Sequence, residues 1–187
     1  MELVAGRECG ECTVCCTVLN IDTPEFQKPA GVPCPHLSAG GGGCSIHATR
    51  YSACRSYHCA WRLMKGLGEG WRPDRSGVLV DFLNEDLPPQ YPKRPGVRLT
   101  LAGSTEAAFN PAFLDFVAQL VAADVPSFIA VPGPPGHYPV SGFLNDALLD
   151  AAKARDFQQM KDFFTGVLAG LAGHKFNPVH QRHGTTS

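Results

Sequence analysis

Eight cysteines fall between Cys9 and Cys59, and the remaining two thirds of this 187-residue chain has none. Their order is C-x2-C-x2-C-C-x17-C-x9-C-x9-C-x4-C, through Cys9, Cys12, Cys15, Cys16, Cys34, Cys44, Cys54 and Cys59. A chain stapled by disulfides normally spreads its bridges and carries an export signal, so this crowding marks a local module. A C-x2-C step brings two thiolates onto one ion across a tight turn, and Gly10 beside Cys9 eases that turn. Two successive steps place three thiolates around one centre.

Zinc sites usually take two ligands from one knuckle and two from another further along. Three ligands at C-x2-C-x2-C with a remote Cys-Pro is the bacterial ferredoxin run, and Cys34-Pro35 offers that remote ligand. The expected cofactor is therefore an iron–sulfur cluster, preferably four-iron four-sulfur, or zinc. Ferredoxins place a fourth local cysteine three residues on, whereas here Cys16 follows Cys15 directly. Adjacent side chains point in different directions, so one of the pair is expected to face a second site. Eight thiolates make two four-Cys sites, or one with the rest structural, and spacing alone does not partition them. His36, His47 and His58 lie in the same run and are expected to hold polar roles beside the ligands rather than to ligate. His174, His180 and His183 are weaker candidates.

The first region, 1–72, is rich in Cys, Gly and Pro, and its core is too thin to fold by burial alone. A metal that binds only the folded form supplies on the order of 10 kcal/mol at a tight thiolate site. The second region, 73–187, is expected to pack against it as an α+β unit. GVLVDFL (Gly77–Leu83) and VRLTL (Val97–Leu101) read as strands, with Val97, Leu99 and Leu101 on one face and Arg98 and Thr100 on the other. NEDLPPQYPKRPG joins them as a loop. Asn110 caps a helix that begins with Pro111 and carries Leu114, Val117 and Val121 on one face. PSFIAV (Pro126–Val131) is a third strand running into the loop PGPPGHYP, where His137 and Tyr138 are expected on a rigid surface turn. Two helices follow between Gly142 and Gly173. A capping box is expected at Asp156 and Gln159, and the stripe Phe157, Met160, Phe164, Val167 and Leu171 is expected in the core. The last residues, HKFNPVHQRHGTTS, are expected to fray.

Net charge is −1 with 18% charged residues, so no basic field for nucleic acid stands out. No apolar run approaches the roughly 20 residues of a membrane span, and MELVAGREC lacks a signal peptide's basic start. A soluble, cytoplasmic protein with no membrane or nucleic-acid partner is expected, and any protein partner is not identified.

ECGECTVCC, PCPHLSAGGGGCSIH and TRYSACRSYHCAW together resemble the YkgJ-type CxxCxxCC family of zinc- or iron-chelating domains, over residues 9–61. The resemblance implies that all eight cysteines are the candidate ligands. His47 stands where the family commonly has Tyr, and Tyr51 where an Arg-Pro pair is usual. A relative with a related module, the flagellin lysine N-methylase, associates it with an iron–sulfur cluster. Methyltransferase activity is not carried over, because no GxGxxG follows a strand and Gly40–Gly43 sits between cysteines. Three functions remain: a metal protein for redox, sensing or metal handling; a structural-zinc docking module; or an enzyme, protein-modifying among other kinds, using the centre. Arg72, Asp74, Arg75 and Asp81 are the enzyme reading's concentrated polar candidates, and a solvated, capped turn is the expected role for them.

Overall fold

The computed structural model describes residues 2–40, 42–91 and 94–180. Gly41 of the glycine run, Pro92 and Lys93 of the Pro-rich loop, and the chain end with His183 lie outside the described residues.

The cysteine-bearing stretch is built from short pieces: α1 (Val14–Val18), a two-strand ribbon of β1 (Ile21–Asp22) and β2 (Gln27–Lys28), α2 (Ser52–Ser56) and α3 (Ala60–Leu63). Among the described residues from 2 to 59, Ala30 is the one buried hydrophobic residue. The core expected to be thin over residues 1–72 is so as far as Cys59, where hydrogen bonds rather than apolar packing set the path, whereas Ala60, Trp61 and Leu67 are buried in the main apolar cluster.

After α4 (Pro73–Ser76), Gly77 at φ 70° ends the helix in the left-handed region, where a β-carbon is disfavoured. The chain then enters a sheet of β3 (Val78–Leu83), β4 (Gly96–Leu101), β5 (Ser127–Val131) and β6 (Val140–Phe143), paired in that order. β3 and β4 are antiparallel, with Asp81 opposite Arg98. α5 (Pro111–Ala122) makes the crossover that lets β5 run parallel to β4. Its N-terminus forms as its residues dictate: Asn110 accepts a hydrogen bond from the Ala112 amide at 2.9 Å, and Pro111 follows.

α6 (Asn145–Ala154) and α7 (Phe157–Ala172) complete the α+β fold. Asp156 caps α7 by accepting from the Gln159 amide at 3.0 Å. The expected helical span from Gly142 is corrected at its start. Gly142 and Phe143 belong to β6, paired with Ile129 and Phe128, and the helix begins at Asn145. With no side chain on Gly142, three of the four residues shielded only in part and the other exposed, this segment is a strand because β5 pairs with it.

The sheet's two faces differ. Val78, Val80, Val97, Leu99, Leu101 and Ile129 point into a cluster with Phe113, Leu114 and Val117 of α5, Leu148 of α6, and Met160 and Phe164 of α7. Arg98 and Thr100 occupy the opposite face, as their alternation predicts, together with Leu79 and Asp81. Leu79 is fully buried there against Trp61 and the cysteines, so the cysteine stretch covers the sheet's second face. Asp81, 5% exposed, pairs with Arg98 at 2.5 Å. Among the described residues no helix is long and apolar enough to cross a membrane.

Candidate metal centre

The cysteines come together through a series of backbone ties. The Cys12 amide donates to Cys9 O at 2.9 Å, closing the first turn, with Gly10 at φ 53°. Arg7 fastens that turn to α3: its Nη1 donates to Trp61 O at 2.5 Å and Met64 O at 2.9 Å, and its Nη2 to Leu67 O. Cys15 and Cys16 lie side by side in α1, where successive residues diverge by about 100° around the axis. The Cys34 amide donates to Cys16 O at 3.0 Å. Cys44 is held opposite Leu37 in an isolated antiparallel bridge. Gly43 before it, at φ 88°, lies so close to Gly10 that a β-carbon would stand 2.6 Å from Gly10 O. Cys54 sits in α2, and Cys59 precedes the first residue of α3.

All eight thiols are free and half-buried. Seven of them line one cavity of about 260 Å³, and Cys12 lies in an adjoining recess with Cys9, Cys15 and Cys59. No group of three or more His, Cys, Asp or Glu side chains among the described residues stands ready-made to hold an ion. The thiols therefore share walls at wider spacing than coordination requires.

The donor chemistry nevertheless fits a thiolate-bound metal. Around the thiols, Arg50 Nε, Tyr57 OH, Trp61 Nε1 and Arg62 Nε are buried without a hydrogen-bond partner. Buried donors of this kind need an explanation, and metal-bound sulfur is an anionic acceptor that suits them. Arg62 already donates to Cys9 Sγ at 3.5 Å. Lys28, 2% exposed, hydrogen-bonds through Nζ to the carbonyls of Thr17 at 3.1 Å, Pro29 at 3.0 Å and Val32 at 2.9 Å. Burial pushes its ammonium below the usual range, while Cys34, Cys16, Cys15 and Cys54 pull the other way.

The thiols feel one another. A hydrogen bond between Cys15 and Cys16 raises the Cys15 thiol and lowers that of Cys16 to about 7; Lys28 and Arg50 assist the latter. Burial raises Cys12, Cys54 and Cys59. Cys54 is raised further by Cys16, Cys34 and Cys44, and Cys59 by Cys9. Metal binding must displace these protons.

The remaining sequence candidates are dispersed. His36 faces the Tyr51 hydroxyl at 3.3 Å, and His47 faces Arg50 Nη1 at 2.5 Å; both line the cavity. Burial, then Arg62 and Arg50, holds His58 below its usual range, so its ring stays neutral to lower pH. His174 and His180 are exposed and line neither the cavity nor the recess. Arg72 pairs with Asp74 at 2.6 Å, Arg75 reaches Glu69 at 3.6 Å, and Asp81 belongs to Arg98, so these four form no common site. The His137 turn is tied down on two sides, by Gly136 N to Ala30 O at 2.8 Å and Tyr138 N to Asn177 O at 2.9 Å. Cys34, the remote ligand that its Pro suggests, has its amide on Cys16 O and shares the cavity with Cys9 and Cys15 but not the recess with Cys12. Lys28, Arg50, Tyr57 and Arg62 are functional candidates that sequence reasoning passed over; their only signal is nearness to cysteines in the chain.

Comparison with family models, curated proteins and solved structures finds no match for this chain.

Proposed function

We propose that this chain is a metal-binding protein of the YkgJ type, holding an iron–sulfur cluster, by preference four-iron four-sulfur, or zinc through its eight cysteines. The filled centre serves redox chemistry, sensing or metal handling in a reducing, cytoplasmic setting. One observation carries the reading: cysteines scattered over residues 9–59 converge on one cavity and its recess as free thiols, ringed by buried donors without partners. Soft thiolates select zinc and iron–sulfur centres over hard cations.

The structural-zinc reading is favoured by a separate observation, the single buried hydrophobic residue among the described residues from 2 to 59. A stretch so poor in core gains its fold from a metal whatever else the metal does.

Anaerobic purification followed by elemental analysis and a visible spectrum tests both. Stoichiometric iron and sulfide with a brown chromophore are expected. Zinc alone in a colourless sample sinks the cluster and leaves the structural reading, and a protein with neither metal sinks both.

A further inference from the structure

The strongest feature left over is the way the cysteines divide between the two depressions. Cys12 lines only the recess, and the thiols with it there are Cys9, Cys15 and Cys59, which reach the cavity as well. Cys16, Cys34, Cys44 and Cys54 line only the cavity. Four and four is the number a closed tetrahedral zinc site or a cubane cluster needs.

The covalent and hydrogen-bonded framework divides the same way. On the recess side, Arg62 links two of the four: its side chain reaches Cys9 Sγ at 3.5 Å and its amide donates to Cys59 O at 2.9 Å. Val4 N to Arg62 O at 2.8 Å holds the N-terminal strand of chain beside α3. On the cavity side, Cys34 N reaches Cys16 O, and the Leu37–Cys44 bridge folds Cys44 back toward Cys34. α2, which carries Cys54, is tied to the same stretch. Glu25 accepts from Ser52 N at 3.2 Å and Ser52 Oγ at 2.9 Å, and Phe26 stacks on Tyr51 at 4.5 Å. The Cys15–Cys16 peptide is the seam: Cys15, though hydrogen-bonded to Cys16, lines both depressions, whereas Cys16 lines the cavity alone.

We infer that the protein has two separate four-thiolate sites, Cys9, Cys12, Cys15 and Cys59 in the recess and Cys16, Cys34, Cys44 and Cys54 on the cavity wall, each taking one thiophilic metal ion or cluster. The inference rests on the metal-binding reading above and adds to it how many centres there are and which cysteines make each.

The test uses the full chain, reduced and metal-free, loaded with cadmium as a thiophilic probe and read by native mass spectrometry with cysteine alkylation. Two equivalents are expected to bind. Molecules carrying one cadmium are expected to protect one complete set of four thiols and to leave the other four alkylated. Cys12→Ser and Cys54→Ser are each expected to bind one equivalent and to keep the opposite set protected. Circular dichroism identifies a variant that has not folded, and the wild-type footprint needs no variant. One-cadmium molecules whose protected thiols draw on both sets overturn the two-site assignment, as does a folded Cys12→Ser chain that leaves Cys34 and Cys44 unprotected. Those outcomes leave metal binding standing; a wild-type chain that binds no cadmium overturns the metal reading itself and the two sites with it.

Discussion

Replacing Lys28 with Met tests whether a single buried ammonium holds the two halves of the cavity wall together. Lys28 Nζ binds the Thr17 carbonyl at the end of α1 and the Val32 carbonyl two residues before Cys34. It thus joins the helix carrying Cys15 and Cys16 to the loop carrying Cys34. Its third acceptor, Pro29 O, also receives the Val32 amide at 3.3 Å and keeps that partner when Lys28 is lost. Thr17 O and Val32 O have no second partner among the described residues, so Met strands two half-buried acceptors at about 1–3 kcal/mol each. Relief from burying an ammonium offsets part of this, and a net loss of about 3 kcal/mol is expected. Every 1.4 kcal/mol is a factor of ten. Amide exchange over residues 14–34 should therefore accelerate on the order of a hundredfold, while exchange over β3 and β4 stays put. Loss of the positive charge beside Cys34, Cys16, Cys15 and Cys54 should also weaken metal binding by about ten- to a hundredfold in chelator competition. Unchanged exchange over residues 14–34, or an equal loss across the whole sheet, would refute the argument.

Chelation under reducing conditions should expose residues 2–59 to protease while the β3–β6 core stays intact, because the apolar cluster starts at Ala60; cleavage throughout, or nowhere, contradicts this. Arg98→Met strands the Asp81 carboxylate on the buried face and should cost about 3–5 kcal/mol at pH 8 in urea unfolding. Burial already lifts Asp81 above its ordinary 3.8, with Arg98 opposing. The variant's folded state therefore holds its proton to higher pH than the unfolded chain, and stability falls as pH rises from 3.8 through the raised folded value. The deficit against wild type should shrink toward pH 5, and a deficit that grows instead sinks the assignment. Phe164→Ala removes a fully buried ring packed edge-on against Phe113 at 5.6 Å. It should cost about 3–5 kcal/mol without changing the number of metal equivalents bound.

The sheet and its helices were legible because their signals are local. Alternation in Val97–Leu101 separates the two faces by itself, and Asn110-Pro111 and Asp156 mark helix starts with their own side chains. β6 was not legible, since Val140–Phe143 has no alternating burial to display and becomes a strand by pairing with β5. The parallel step from β4 to β5 depends on where α5 packs, which no spacing encodes. Nor does spacing reveal that Arg98 and Thr100, polar and seemingly bound for water, face the cysteine stretch.

At the site, local and distant information divide in the same manner. The turn from Cys9 to Cys12, and the divergence of Cys15 from Cys16, follow from a few adjacent residues. Which distant cysteines come near them does not. Cys-Pro spacing points to Cys34 for the first three cysteines; its amide is bound to Cys16 O in a cavity that Cys9 and Cys15 also line, and Arg62 and Arg7 bring α3 with Cys59 to the N-terminal turn. Both arginines act over more than fifty residues of chain, Arg7 on Trp61 and Arg62 on Cys9. A cysteine's place in the order of the chain therefore says little about which other cysteines it comes to lie beside. What decides it is the buried cations and backbone ties that fold the stretch back on itself, in a region where apolar packing is too sparse to do so.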